Sequence, residues 1–145
     1  MSRTYRSRIQ FEEQGYTLTE LLTVTLVIGI LAAIALPIFL SVQTKGQDAE
    51  AKSNARNMVS QLESCYARAQ SYANCDTSED VFSSGISLGD ADSEVELSAL
   101  GAGGYELVGH SLSGNTFTIE RADETGLTRR CTPHGSGGCP DDGNW

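Results

Sequence analysis

Few residues of this chain have the types and spacing that enzymes use for chemistry. His110 and His134 are its only histidines. Its serines, aspartates and glutamates occur without a nucleophile elbow or a metalloprotease motif. A membrane-anchored enzyme is therefore the weaker interpretation, and we predict a protein that is not an enzyme and needs no cofactor.

The cysteines point to disulfide bonds. The four cysteines are Cys65, Cys75, Cys131 and Cys139. An even number of cysteines in a chain with an export-like N-terminus favours disulfides outside the cytoplasm. The sequence permits three pairings, and the short separations favour Cys65–Cys75 and Cys131–Cys139, because nearby partners are the easiest to bring together.

The sequence offers two alternative metal sites, one for zinc and one for calcium. The zinc alternative uses a set of cysteines and histidines, namely Cys131, His134, Cys139 and a further ligand such as His110. No CxxC pair is present, and an oxidising compartment disfavours free thiolates. The calcium alternative uses Asp141-Asp142, although two adjacent carboxylates more often only solvate a loop. We expect no bound metal.

A single carboxylate interrupts a long apolar run near the N-terminus. Residues 12–40 read EEQGYTLTELLTVTLVIGILAAIALPIFL, and Glu20 stands where the apolar part begins. An ionised carboxylate at membrane depth is costly, and such residues are usually functional and paired. A neighbouring α-amino group would supply a compact opposite charge with hydrogen-bond donors. The alternative is that Glu20 lies at the headgroup boundary and contributes only to the first turn of the helix.

The segment after Glu20 has the length and the flanks of a membrane span. Residues 1–15 are polar and contain three arginines, which favour a cytoplasmic location for that end. Leu21 to Leu40 provide about 20 positions, enough for a helix to cross roughly 30 Å of hydrocarbon. Pro37 lacks an amide hydrogen, so we expect it to kink this helix.

A second helical pattern follows the apolar run. Apolar residues recur at spacings of three and four, at Ala51, Ala55, Met58, Val59, Leu62, Tyr66 and Ala69. Charged and polar residues fill the positions between them, which is typical of an amphipathic helix. We predict helix from about Thr17 to about Gln70, on the order of 80 Å long. A helix this long in a chain this short must extend beyond its own domain, so we expect its other partners in other chains.

The remaining residues predict a small antiparallel sheet. Residues 74–104 are rich in Ser, Asp and Gly and predict a long loop with a short strand near residues 95–97. The segments GGYELVGHSL and NTFTIERA predict two strands joined through the turn Ser113-Gly114-Asn115. A third strand is predicted over residues 127–132, after a turn at residues 123–126.

These elements define the expected fold class as α+β. It comprises a long N-terminal α-helix packed on a small antiparallel β-sheet with a disulfide-closed C-terminal loop. The expected core-facing residues of the sheet are Tyr105, Leu107, Phe117 and Ile119.

The charge of the chain excludes one class of partner. The formal net charge is −9, and the segment after the arginine-containing N-terminus is more acidic still. Such a surface repels phosphate backbones, so we predict no general nucleic-acid binding, although local basic patches are compatible with it.

The segment QGYTLTELLTVTLVIGILAAIALP resembles the start of a type IV prepilin, or of a close relative in the pilin and pseudopilin superfamily. The resemblance rests on Gly15, an aromatic residue after it, and Glu20 four positions later, inside a long apolar run that has a proline near its end. Two positions differ from the usual pattern, because Tyr16 stands where the family usually has phenylalanine and Thr19 where it commonly has an aliphatic residue. Two glutamates also make the leader less basic than usual.

The resemblance implies how the chain is processed and divided. Prepilin peptidase, an inner-membrane aspartyl protease, would cut between Gly15 and Tyr16 and methylate the new amine of Tyr16. Glu20 would then pair with the N-terminal amine of a neighbouring subunit. The implied segments are a leader over residues 1–15, a transmembrane and filament-core helix over 16–40, its amphipathic continuation over 41–73, and a globular loop and β-sheet region over 74–145.

The resemblance also implies a structural role and a location. The precursor would cross the inner membrane once, and an assembly ATPase and platform protein would drive the mature subunit into an extracellular pilus. That filament would serve adhesion, motility or DNA uptake. Pro37 would favour local loosening of the helix in the filament.

Three other assignments are the alternatives. Within the superfamily they are a pseudopilin of a type II secretion system and a minor or competence pilin. Outside it, residues 33–35 read Ala-Ile-Ala and would allow an ordinary signal peptide to be cut before Leu36, giving a secreted soluble protein. A proline directly after the first mature residue disfavours that cut, and the signal-peptide alternative assigns no role to Glu20.

Overall fold

The protein folds as a long helix followed by a four-stranded sheet, as a computed structural model shows. The structure describes residues 15–75, 85–122 and 126–145, the side chains of residues 98–100 excepted. Its elements are α1 (Leu18–Ala69), a 3₁₀ turn (Tyr72–Asn74), β1 (Val95–Leu100), β2 (Tyr105–His110), β3 (Thr116–Ala122) and β4 (Gly126–Thr132). The predicted α+β class is confirmed.

The chain divides into two compact units, Met1–Pro37 and Ile38–Trp145. In the first unit α1 carries large apolar side chains that are all more than half exposed. Together with four such residues that follow Pro37, they are Leu18, Leu21, Leu22, Val24, Leu26, Val27, Ile28, Ile30, Leu31, Ile34, Leu36, Ile38, Phe39, Leu40 and Val42. By length and composition α1 is long and apolar enough to cross a membrane. Pro37 lies inside α1, and the kink expected there stays a prediction.

In the second unit α1 packs on the sheet through a narrow stripe. The predicted stripe residues Ala51, Ala55, Met58 and Leu62 are buried, and Val59 and Tyr66 are partly buried. Ala69 was expected on the same stripe but is exposed, since the helix ends at this residue and Gln70 leaves it with a φ of 53°. Asp48 and Cys65 also lie on the stripe and are buried.

The four strands form one antiparallel sheet in the order β1-β2-β3-β4. Strand β2 pairs with β3 in a register that places Leu107 opposite Ile119. The four core residues expected from the sequence, Tyr105, Leu107, Phe117 and Ile119, are all buried. The turn between β2 and β3 falls at residues 111–115, where Gly114 has a φ of 85°. The turn expected before β4 lies largely at residues 123–125, outside the described residues.

Two disulfides fix segments that are close in sequence. Cys65 of α1 is bonded to Cys75, just after the 3₁₀ turn, with a Cα–Cα distance of 6.0 Å. Cys131 of β4 is bonded to Cys139, with a Cα–Cα distance of 5.7 Å. These are the pairs that the short separations favoured, and they hold the chain after α1 and the loop after β4.

A glycine in β2 allows the helix to lie close to the sheet. A Cβ atom on Gly109 would lie 2.9 Å from the carbonyl oxygen of Ala51 and 3.3 Å from the Cβ of Ala55. Both contacts involve groups that cannot rotate away, so a larger residue must push the helix from the strand. Small residues on both sides therefore set the distance between α1 and β2.

Gly109→Val should destabilise the full chain. We expect the free energy of unfolding to fall by about 1–3 kcal/mol, as for other overpacked cores. Thermal and denaturant unfolding of the detergent-solubilised protein measure it. The matched control is Gly46→Ala, because a Cβ at Gly46 meets nothing within 4 Å and alanine favours helix. Equal stability of the Gly109→Val variant and the wild type would contradict this packing account.

Candidate functional site

The residues singled out at the N-terminus lie together at the start of α1. Gly15, Tyr16 and Thr17 precede the helix, and Glu20 lies in its first turn. All four residues are exposed, and Tyr16 is 84% exposed. A protease that must bind an extended segment across Gly15–Tyr16 would therefore meet chain that is outside the helix.

Glu20 and Thr17 form a reciprocal cap of the helix. The amide N–H of Thr17 donates to Oε2 of Glu20 at 2.8 Å, and the Thr17 hydroxyl donates to the same oxygen at 2.7 Å. In return, the amide N–H of Glu20 donates to Oγ1 of Thr17 at 3.2 Å. This is a capping box, which satisfies donors that the first turn of a helix leaves without intrahelical partners. The T-x-x-E spacing at residues 17–20 is the local sequence signal for this cap, and it was not among the predicted features.

The cap leaves part of the carboxylate available. Among the described residues, the hydrogen bonds that Glu20 accepts all reach Oε2, and Oε1 accepts none. Tyr16, Glu20, Leu21 and Val24 line an open depression beside it. One oxygen of Glu20 is thus held at the start of the helix, and the residue borders a depression lined by Tyr16, Leu21 and Val24.

The other polar side chains of the apolar segment are satisfied within the helix. The Thr23 hydroxyl donates to the carbonyl oxygen of Glu20 at 2.9 Å, and the Thr25 hydroxyl donates to that of Leu21 at 3.0 Å. A segment that returns its hydroxyls to its own backbone is compatible with a hydrocarbon environment.

Asp48 is the centre of a buried polar cluster in the second unit. Its Oδ1 accepts hydrogen bonds from the Ser111 hydroxyl at 2.7 Å and from the Ser113 hydroxyl. Its Oδ2 accepts from Nδ2 of Asn115 at 2.8 Å and from the amide N–H of Gly138 at 2.6 Å. The side chain is fully buried, so one carboxylate joins α1 to the β2–β3 turn and to the disulfide loop.

These bonds determine the protonation of Asp48. Burial by itself would raise the pKa of the carboxyl, but the hydrogen bonds from Ser113, Gly138, Ser111 and Asn115 outweigh burial and hold its pKa below the usual value. Lys52 donates to the carbonyl oxygen of Gly138 at 2.6 Å. Both carboxylate oxygens accept hydrogen bonds from separate segments, so the cluster holds the fold together. Asp48 was not among the predicted site residues, although an acid in line with the apolar stripe was a usable signal.

A second polar cluster lies near the C-terminal end of α1. The hydroxyls of Tyr72 and Tyr105 donate to the Glu63 carboxylate at 3.0 and 3.4 Å, and Nη1 of Arg121 donates to it at 2.6 Å. Burial, together with the hydrogen bond to Glu63 and its charge, raises the pKa of Tyr72 to about 12. Burial also raises the pKa of Tyr105. The Glu63 contacts therefore tie α1 to the 3₁₀ turn, β2 and β3.

The proposed metal ligands are engaged in other ways. The zinc alternative needs Cys131 and Cys139 as thiolates, but their sulfur atoms are bonded to each other. Nε2 of His110 lies 3.4 Å from a carboxylate oxygen of Glu96. Asp142, one of the two calcium candidates, accepts a hydrogen bond from the amide N–H of Asn144. Within the described ranges, no group of three or more His, Cys, Asp or Glu side chains is placed to hold a metal ion.

A capped, largely exposed apolar helix followed by a disulfide-bonded α+β region defines a pilin-like class of protein. The chain is 37% identical over 67 residues to the type IV major pilin protein PilA of Myxococcus xanthus (strain DK1622). The match spans 46% of this chain and 30% of that relative. No protein-family model matches the chain, and no solved structure matches it. The resemblance to the type IV pilin superfamily that the sequence indicated is confirmed.

Asp48→Asn should destabilise the second unit, and the effect should depend on pH. Because the folded pKa of Asp48 lies below that of an unfolded aspartate, its stabilisation is present above about pH 4 and is lost as the pH falls through the folded value. An asparagine at this position also places its own amide N–H groups against side chains and a backbone amide that donated hydrogen bonds to the aspartate. We expect a loss of about 2 kcal/mol in the free energy of unfolding at pH 7 and a smaller loss at pH 3.

Chemical denaturation of the full chain in detergent at both pH values measures this difference. Glu50→Gln is the matched control, because Glu50 lies on the same helix and is exposed. A constant difference between the Asp48→Asn variant and the wild type from pH 7 to pH 3 would refute the assignment of an ionised Asp48.

Proposed function

We propose that this chain is the structural subunit of a type IV pilus. The observation that carries the proposal is the apolar surface of α1 between Leu18 and Val42, headed by one carboxylate at Glu20. The similarity to a type IV major pilin supports the same role. In this proposal the protein is structural and polymerises through its N-terminal helix into a surface filament.

The processing step that we propose follows from the exposed chain before α1. Prepilin peptidase removes residues 1–15 by cutting between Gly15 and Tyr16, and the new amine of Tyr16 is methylated. The exposed position of Gly15 and Tyr16 outside the helix supports access to this bond. The mature subunit then has its amine four residues before Glu20.

The anchor and the filament core are proposed to be the same segment. Residues 16–40 hold the subunit in the inner membrane, and the assembly platform and its ATPase transfer it into the filament. There the apolar side chains leave lipid and pack against those of neighbouring subunits. Since lipid tails are as apolar as these side chains, packing and polar contacts contribute more to this exchange than release of water. Residues 41–73 and 74–145 form the outward-facing part.

Glu20 is proposed to serve two partners at once. Its Oε2 keeps the bonds of the capping box to Thr17, which fix the position of the carboxylate. Its Oε1 is then open to the Tyr16 amine of a neighbouring subunit. A charge that is paired and hydrogen-bonded avoids most of the free energy that an unpaired carboxylate would cost in an apolar surrounding. The pair would set the register between adjacent helices.

The choice among the superfamily's filaments rests on the role of the similar protein from Myxococcus xanthus. That relative is a major pilin, which favours a long surface filament over the short filament of a secretion system. In this proposal the filament serves adhesion, motility or DNA uptake.

Gly15→Ala should block the proposed cut. In cells that assemble the filament, we expect the variant to accumulate as a full-length precursor, visible as a larger band on immunoblots of membranes. The added Cβ meets nothing within 4 Å in the folded chain, so the substitution should leave the fold unchanged. Mature chain of wild-type size in this variant would contradict cleavage after Gly15.

Two substitutions separate the pairing of Glu20 from its role as a cap. Glu20→Gln keeps a side chain that forms a capping box but removes the charge, whereas Thr17→Ala removes the cap and keeps the charge. We expect Glu20→Gln to be processed normally and to lower sheared filaments by about tenfold or more, as for loss of one partner of a buried charge pair. Thr17→Ala should retain most of the filaments.

The yield of sheared filaments, relative to processed subunit in the membrane, measures both variants. The reverse order, with full assembly of Glu20→Gln and loss of assembly in Thr17→Ala, would assign Glu20 to the helix cap alone.

A further inference from the structure

The second unit has a basic cluster on an otherwise acidic protein. Three of its cationic side chains gather around one indole ring, and we call them with that ring the basic edge: Lys52, Arg56, Arg129 and Trp145. The charged ends of Lys52, Arg56 and Arg129 lie 5.7, 5.1 and 5.7 Å from the ring centroid of Trp145. Nε1 of Trp145 donates to the carbonyl oxygen of Arg130 at 2.8 Å.

The basic edge lies at an open side of the sheet. Residues 126–130 of β4 are exposed, and β4 is the last strand in the order β1-β2-β3-β4. Arg56 is exposed on the adjacent face of α1. Arg129 and Arg56 are held by the indole face, while the neighbouring Arg130 is paired with Glu120 at 2.7 Å. Cations that stack on an aromatic ring keep their charge available to a further anionic partner.

The opposite edge of the same sheet is acidic. The segment of residues 85–97, which leads into β1, contains four carboxylates and no lysine, arginine or histidine. We call these carboxylates the acidic edge: Asp90, Asp92, Glu94 and Glu96. Asp90 and Asp92 are exposed on the turn before β1, and Glu96 lies on β1 beside His110. Three strand spacings, about 14 Å, separate β1 from β4 across the sheet.

We propose that the basic edge of one subunit docks on the acidic edge of a second copy of this chain in the filament. The two surfaces are different patches of one molecule, so the contact is heterologous and propagates from copy to copy without closing. That is the geometry that a filament requires. The inference rests on the proposed pilus role and adds to it a contact between the outward-facing parts of neighbouring subunits.

Electrostatics favour a second copy as the occupant. The full chain has a net charge of −9, and the subunit without its leader is more acidic still, so closely packed subunits repel one another unless opposite charges meet at their contacts. Docking the basic edge on the acidic edge places three cations against four carboxylates and converts part of this repulsion into attraction. Such complementary contacts fix register and exclude wrong orientations.

A charge exchange tests the contact. The basic-edge variant carries Arg56→Glu and Arg129→Glu, the acidic-edge variant carries Asp90→Arg and Asp92→Arg, and the combined variant carries all four substitutions. The combined variant has the net charge of the wild type and reversed but complementary edges. We expect each of the first two variants to lower sheared filaments by about tenfold or more, and the combined variant to recover to within about threefold of the wild type.

The controls separate this contact from folding and from filament formation itself. Processed subunit in the membrane, with both disulfides mapped, shows that each variant folds. Absence of filaments from the wild-type chain would refute the pilus role, whereas wild-type assembly with unchanged assembly of both edge variants would refute only this contact. Loss in the basic-edge variant alone, without recovery in the combined variant, would assign the basic edge to another anionic partner and overturn the proposal.

Discussion

The apolar surface of α1 is the constraint on which the rest of the molecule depends. Between Leu18 and Val42 the large apolar side chains are each more than half exposed, and such a surface is not stable in water. It must lie in lipid or against other chains. A segment that first anchors the subunit in the membrane and later forms the filament core would be covered by lipid in the first state and by other chains in the second. The capping box at Thr17 and Glu20 then starts the helix and holds one carboxylate in a defined place beside that surface.

In the second unit, a small sheet and a long loop are held on one helix. Two carboxylates of α1, Asp48 and Glu63, hold them there, and each accepts hydrogen bonds from separate segments. Between them lies the close contact of Gly109 with the Ala51 and Ala55 turn. The disulfides add covalent closure where the chain is poor in apolar residues. The charged edges of the sheet are left facing outward for contact with other subunits in our proposal.

Features with a local signature could be predicted from the sequence, and features built from distant residues could not. The apolar run, the stripe from Ala51 to Leu62, the turn around Gly114 and the core residues of β2 and β3 follow from short-range periodicity and turn chemistry. The burial of Asp48 depends on donors that lie 63 to 90 residues away, so composition gave no sign of their meeting. The cluster around Trp145 joins α1, β4 and the end of the described chain in the same way. The capping box is the exception, because its T-x-x-E pattern was local and readable.

The most direct test of the proposed role is the mass and N-terminal sequence of the subunit in filaments sheared from the cell surface. The account predicts a chain that begins at Tyr16, carries one methyl group on its amine, and contains two intact disulfides. A protein recovered only from the medium as a soluble chain beginning at Leu36, or filaments lacking this chain, would contradict it.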